Sequence, residues 1–218
     1  MPDGVEAPET WLALTLALSG WLAFENDRPA LSVLLFAVGG LAKEIVLLFP
    51  AALVGWSVLR KDWRQAALVA ISFAPYVAWS AILVAWLGAS PMTATQTQPT
   101  LIPWGGIQYL ADPVGRAVVG MWVLLPAAGA GLWAALDAWR GRGSDQGRTA
   151  LLVLAHVAFV VVMPRPTWED PLAILRVGLG LLAALLIWLA AAHRRVLPFA
   201  VAWWAPSALV LALAPGML

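Results

Sequence analysis

The chain has 218 residues, of which 62% are hydrophobic and 11% charged; ordinary soluble domains carry about a quarter charged residues. With a mean hydropathy of +0.83 it holds more apolar surface than a soluble core of this size can cover, which excludes soluble enzymes and disordered tails. A net charge of +1 without a basic cluster argues against a nucleic-acid partner, and the absence of cysteine removes disulfides, thiolate metal sites and cysteine nucleophiles.

Eight apolar runs follow one another: 11–24, 29–42, 45–58, 65–88, 117–136, 149–163, 171–192 and 196–214. They are continuous rather than alternating, so the expected class is all-α, a polytopic transmembrane bundle of about eight helices rather than a strand barrel. The runs fill about two thirds of the chain, at roughly 20 residues per span, which leaves 1–218 as a single transmembrane domain with no separate soluble domain. Many of the 14 tryptophans fall near run ends, as in an interfacial belt.

The tail Met1–Glu9 carries Asp3, Glu6 and Glu9 and no basic residue, so it does not oppose translocation and is no signal peptide. The stretch 29–58 reads either as one helix of about 45 Å or as two short helices broken at Lys43–Glu44. One helix would hold both charges in mid-membrane at about 3 kcal/mol each. A break is therefore expected, with the pair at the outer interface. In 65–88, Pro75 predicts a kink.

Positive charge orients the bundle. Arg60, Lys61 and Arg64 fall in one loop, Arg140, Arg142 and Arg148 in another, and Arg194 and Arg195 in a third; pairs of spans separate these loops, so all three belong on the cytoplasmic side. The 25–28 loop falls there too, and the N-terminus outside. Nine of the thirteen basic residues are thereby explained by insertion, and Lys43, Arg116, Arg165 and Arg176 are left on the outer side. A basic residue on that side needs an anion: an acid of the chain, such as Glu44, Asp112, Glu169 or Asp170, or a ligand. Two readings stay open, interfacial ion pairs or an outer pocket for a phosphorylated lipid with carboxylates available as base.

Loop 89–116 holds Thr93, Thr95, Gln96, Thr97 and Gln98 and then Ile102-Pro103-Trp104-Gly105-Gly106-Ile107-Gln108-Tyr109, where an aromatic beside a glycine pair and amides suits either a sugar face or an interfacial turn anchored by Trp104 and Tyr109. Loop 164–170 holds Arg165, Trp168 and Glu169; Asp170–Pro171 has the form of a helix start. Arg176 lies about a turn and a half further in and must find a partner. His156, alone in an apolar run, reads as a packing or polar-contact histidine. Asp137 reads as pairing with Arg140 or reaching the interface. Ala127 with Gly131, and Gly178 with Gly180, form small-residue packing faces.

The segments Glu-Thr-Trp-Leu-Ala-Leu from Glu9, Leu-Phe-Ala-Val-Gly-Gly-Leu-Ala-Lys-Glu-Ile-Val ending at Val46, the basic loop at Arg60–Arg64, and Asp170 to Arg176 followed by Val-Gly-Leu-Gly-Leu resemble the middle and late helices of GT-C-type polytopic glycosyltransferases, in the bacterial cell-surface glycopolymer and mannosyltransferase-like branch. The resemblance implies a GT-C-like C-terminal part, sugar transfer from a polyprenyl-phosphate donor to a cell-envelope acceptor, and an active face outside a bacterial-type plasma membrane. Carried onto these residues, Lys43, Arg165, Arg176 and Arg116 would bind donor phosphate, Glu9 and Glu44 would serve as base or orient the acceptor, and Trp104, Gln108, Tyr109 and Trp168 would contact sugar or acceptor. No cofactor is evident in the sequence; the family allows a divalent metal. The family's catalytic aspartate belongs to a first outer loop that nothing here matches, so the chain reads as starting at a middle helix, with an upstream-encoded N-terminal half as a partner. The alternative is a non-catalytic scaffold or transport subunit for lipid-linked glycans.

Overall fold

The computed structural model describes residues 7–88, 104–110, 113–141, 144–164, 167–168 and 171–204, and within these the chain is helical apart from short turns, with no strand. Eight helical stretches follow the eight apolar runs in order. The helices are α1 (Ala7–Glu25), α2 (Pro29–Ala42), α3 (Leu48–Leu59), α4 (Trp63–Ala70), α5 (Ala74–Leu87), α6 (Pro113–Val119), α7 (Leu125–Arg140), α8 (Asp145–Val161) and α9 (Pro171–Ala192). A last helical stretch occupies 197–204.

The ends follow local chemistry. Pro29 opens α2, where its missing N–H costs nothing. The Asp62 carboxylate accepts from the Gln65 amide at 3.0 Å to cap α4, and the Ser144 hydroxyl accepts from the Gly147 amide at 3.3 Å to cap α8. Gly88, at φ 69°, terminates α5 in the left-handed region that a glycine enters freely. α9 begins at Pro171 as the sequence suggests; Asp170 itself lies outside the described residues.

Two of the irregularities were legible. Lys43 is extended, at φ −158° and ψ 125°, and divides α2 from a 3-10 turn, Glu44–Leu47, that leads into α3. The expected break is there. Its local cause is Gly39 and Gly40: a Cβ on Gly39 would stand 2.9 Å from Val46 Cγ1, and one on Gly40 would stand 2.5 Å from Leu47 Cδ2. At Gly39, between Val46 and the Leu16 Cβ at 3.2 Å, a side chain would have to push the turn off the end of α2. The Trp63–Leu87 stretch tightens into a 3-10 turn at Ile71–Phe73, just before Pro75. A third irregularity was not foreseen: a π turn at Gly120–Leu124, immediately ahead of Pro126, joins α6 to α7.

α8 is the hub, packed against α3, α7 and α9, while α1 and α2 form a hairpin. The core holds Trp21, Phe36, Phe49, Leu53 and Trp56 on one side of α8 and Trp188 on the other. A Cβ at Gly131 would meet Val157 at 3.1 Å, so the Ala127/Gly131 face does pack as foreseen.

The stretches Trp63–Leu87 and Gly120–Arg140 are long and apolar enough to cross a membrane. They are not core helices: the most apolar windows are only 11% and 22% buried within the chain. No residue of α5 is buried, and Trp86 is 78% exposed.

Candidate functional site

The helix hairpin and the Lys43 break together make a cavity. α1 contributes Thr10, Ala13 and Ala17; the break contributes Lys43, Glu44 and Ile45; α3 adds Phe49, α8 Phe159, and α9 Gly180. Its volume is about 60 Å³, room for about four water molecules, which is the scale of a phosphate group and not of a sugar or a whole lipid. Apart from the Thr10 hydroxyl and the Lys43–Glu44 pair, the walls are apolar.

The Lys43 ammonium donates to Thr10 Oγ1 at 3.0 Å. Among the described residues no carboxylate pairs with it. A half-buried ammonium with a neutral hydroxyl as its partner retains donors and positive charge for an anion. Glu44 also lines the cavity and is exposed; Glu9 is exposed in the first turn of α1 and does not line it.

His156 stands behind the cavity wall and is 1% exposed. Its Nδ1 donates to the Leu152 carbonyl at 2.9 Å, which leaves Nε2 as an acceptor without a described partner. A Cβ on Gly180 would be 3.2 Å from that nitrogen, and Phe49 meets the ring edge-on at 5.0 Å. The histidine is thus the packed, locally bonded residue the sequence suggested, and Gly180 is the space it needs.

The other expected residues are distributed as follows. Arg165 lies outside the described residues, and of Arg176 only the backbone is described, one turn before Gly180 in α9. Arg116 is exposed in α6. Trp104, at φ 60°, donates its amide to the Val161 carbonyl at 3.1 Å and fastens the Gly105–Tyr109 turn to the end of α8. Gln108 is exposed and Tyr109 half-buried. Trp168 corrects the expectation of a sugar contact. It is fully buried, its Nε1 donates to the Met163 carbonyl at 3.0 Å, and its ring fills the place of a Cβ on Gly106. Both ring faces are occupied by protein. Among the described residues no three His, Asp or Glu side chains come together, so the divalent metal that the resemblance allows finds no ligand set among them.

The opposite end carries contacts the sequence did not announce. Arg148 reaches Glu25 at 2.6 Å and Asp145 at 3.3 Å and lies 5.2 Å from the Trp56 ring centre. Trp56 Nε1 donates to the Ser144 carbonyl at 3.3 Å. Asp137 does not pair with Arg140 as expected. It is buried, and accepts from His193 Nε2 at 2.6 Å and Trp188 Nε1 at 3.1 Å. Partners 51 and 56 positions away leave no local signal. These bonds gather the end of α1 at Glu25, the last turn of α3 at Trp56, the 144–148 segment, the end of α7 at Asp137 and His193 at one end. Thr10 and Glu25 are both on α1, so the Lys43 cavity lies about 22 Å of helix rise from that end.

No family model, curated protein or solved structure matches the chain.

Proposed function

We propose that the chain is a multi-pass membrane protein of the GT-C-like kind, holding the phosphate of a polyprenyl-phosphate-linked sugar in the Lys43 cavity on the extracytoplasmic face and passing the sugar to a cell-envelope acceptor. Two arguments support the membrane part. Helices as apolar and as unburied as Trp63–Leu87 need lipid around them. The segments gathered at one end are also those that the charge pattern reads as cytoplasmic, and on that reading Lys43 faces the other side.

The observation that carries the ligand is the Lys43 ammonium, unpaired by any described carboxylate, in an otherwise apolar cavity. In the transfer step an acceptor hydroxyl attacks the anomeric carbon and loses its proton to Glu44. The carbon–oxygen bond to phosphate breaks, and its electron pair leaves on the lipid phosphate, whose charge Lys43 stabilises. A non-catalytic carrier of lipid-linked glycan is the second reading. It is favoured by Glu9 standing away from the cavity, which leaves Glu44 as the single described carboxylate in the lining.

The test uses the full chain in vesicles with polyprenyl phosphate. Lys43→Ala is expected to weaken binding about 10- to 100-fold, the scale of one charge-assisted hydrogen bond. Glu44→Gln is expected to retain binding and lose transfer. Unchanged binding by Lys43→Ala refutes the site; binding without any transfer by the unaltered chain selects the carrier.

A further inference from the structure

A second amphiphile-shaped site lies at the cytoplasmic end, far from Lys43. An apolar groove of about 290 Å³ runs between α7, α9 and the 197–204 stretch, with Ala130, Trp133, Leu185 and Trp203 in its walls. It shares Trp133 and Val196 with a second concavity that contains His193, Arg194 and Arg195. One end of the combined surface is therefore apolar and the other cationic.

The walls are fixed. Trp122 Nε1 donates to the Trp203 carbonyl at 3.2 Å, which ties the 197–204 stretch to the helix that carries α7. His193 is held by Asp137 at 2.6 Å and packs 4.2 Å from Trp133, which fixes the turn carrying the arginines. Arg194 spends its Nε on the Ala190 carbonyl at 3.0 Å, leaving its two terminal nitrogens. Among the described residues neither arginine has a carboxylate partner, because Asp137, the acid beside this turn, already serves His193 and Trp188.

We propose that this surface binds one anionic phospholipid of the cytoplasmic leaflet. Its phosphate lies on Arg194 and Arg195, and one acyl chain lies along Trp133, Ala130 and Leu185. Basic pockets between spans on this side have the chemistry for such headgroups. The guanidinium forks can take the phosphate in a bidentate fashion, and their charge favours a headgroup with no cation of its own. The proposal rests on the membrane part of the reading above and not on sugar transfer.

The experiment is native mass spectrometry of the full chain, released from membranes in detergent, with phosphatidylglycerol or phosphatidylcholine added. One phosphatidylglycerol is expected to be retained about tenfold better than phosphatidylcholine. Arg194→Gln/Arg195→Gln removes the charge that separates the anionic lipid from the zwitterionic one, and is expected to erase that preference. Ala130→Phe and Ala200→Phe, which narrow the groove from opposite walls, are each expected to reduce retention of the lipid. Equal retention of the two lipids overturns the proposal, as does a preference that survives in the glutamine variant or retention that survives both phenylalanines. A groove filled by residues 205–218 would retain no lipid and overturn it too. Release of the chain from membranes by alkaline carbonate would instead sink the membrane reading itself.

Discussion

Replacing Asp137 by alanine tests whether the end of the bundle opposite the Lys43 cavity is held by a buried carboxylate. The Asp137 side chain is 7% exposed and accepts from His193 at 2.6 Å and Trp188 at 3.1 Å, with the Gln146 side chain beside it as a further donor. Alanine removes both acceptor positions. Trp188 is 1% exposed, so its N–H is left buried without a partner, a loss of about 1–3 kcal/mol. The bond from His193 to a carboxylate is worth about 1.5–3 kcal/mol more. A total near 4 kcal/mol corresponds to about 8–16 °C in a chain of this size. Asp137→Asn keeps one acceptor and is expected to lose about half as much. Trp188→Phe keeps the ring against Trp133, at 5.2 Å, and the His193 bond, and is expected to lose about 1 kcal/mol. Thermal unfolding of the detergent-solubilised protein, followed by tryptophan fluorescence, reads all three. A shift below about 2 °C for Asp137→Ala refutes the reasoning, because the buried donors would then have found other acceptors.

The chain has no cysteine, so single cysteines report topology cleanly: Asn26→Cys and Gln108→Cys are expected to label from opposite sides of the membrane, and labelling from one side would remove the face assigned to Lys43. Gly39→Val drives a branched side chain into Val46 and the Leu16 Cβ at 3.2 Å, and is expected to lower the melting temperature by several degrees, or about 1–3 kcal/mol; Gly55→Ala, with nothing within 4 Å of its Cβ, is the control and should not. Gly180→Val is expected to displace His156 and close the cavity, so polyprenyl-phosphate binding should fall even though Lys43 and Thr10 are unchanged; full binding in that variant would show that the cavity wall is elsewhere.

The helices were legible because each run is apolar from end to end, and because charged or glycine-bearing turns such as Glu25–Arg28 and Arg60–Asp62 punctuate them. The Lys43 break was legible for an energetic reason: two charges in the middle of an apolar stretch are cheaper at a helix end than inside one. The sharing of one end by the basic loops was legible from parity alone. Side-chain partnerships were not. Asp137 has Arg140 three residues on, and helical spacing favours that pair, yet the carboxylate turns inward to a histidine and a tryptophan from another helix. Trp168 had the neighbours of a sugar platform, and it is the missing Cβ of Gly106 that draws its ring inside. The Thr10–Lys43 bond joins residues 33 apart and depends on how the hairpin closes, which no local pattern encodes.

The central position of α8 fixes an order of events during synthesis. Glu25 and Arg148, which meet at 2.6 Å, are separated by 123 positions. At ribosomal speeds of about 5–20 residues per second, the carboxylate is made about 6–25 s before its cation. Throughout that interval α1, α2 and α3 have no hub to close upon: the inner face of Phe49 lacks His156, and the indole N–H of Trp56 lacks the Ser144 carbonyl. Until the sixth helical stretch is made, the nascent chain carries this half-built apolar surface uncovered by its own later residues.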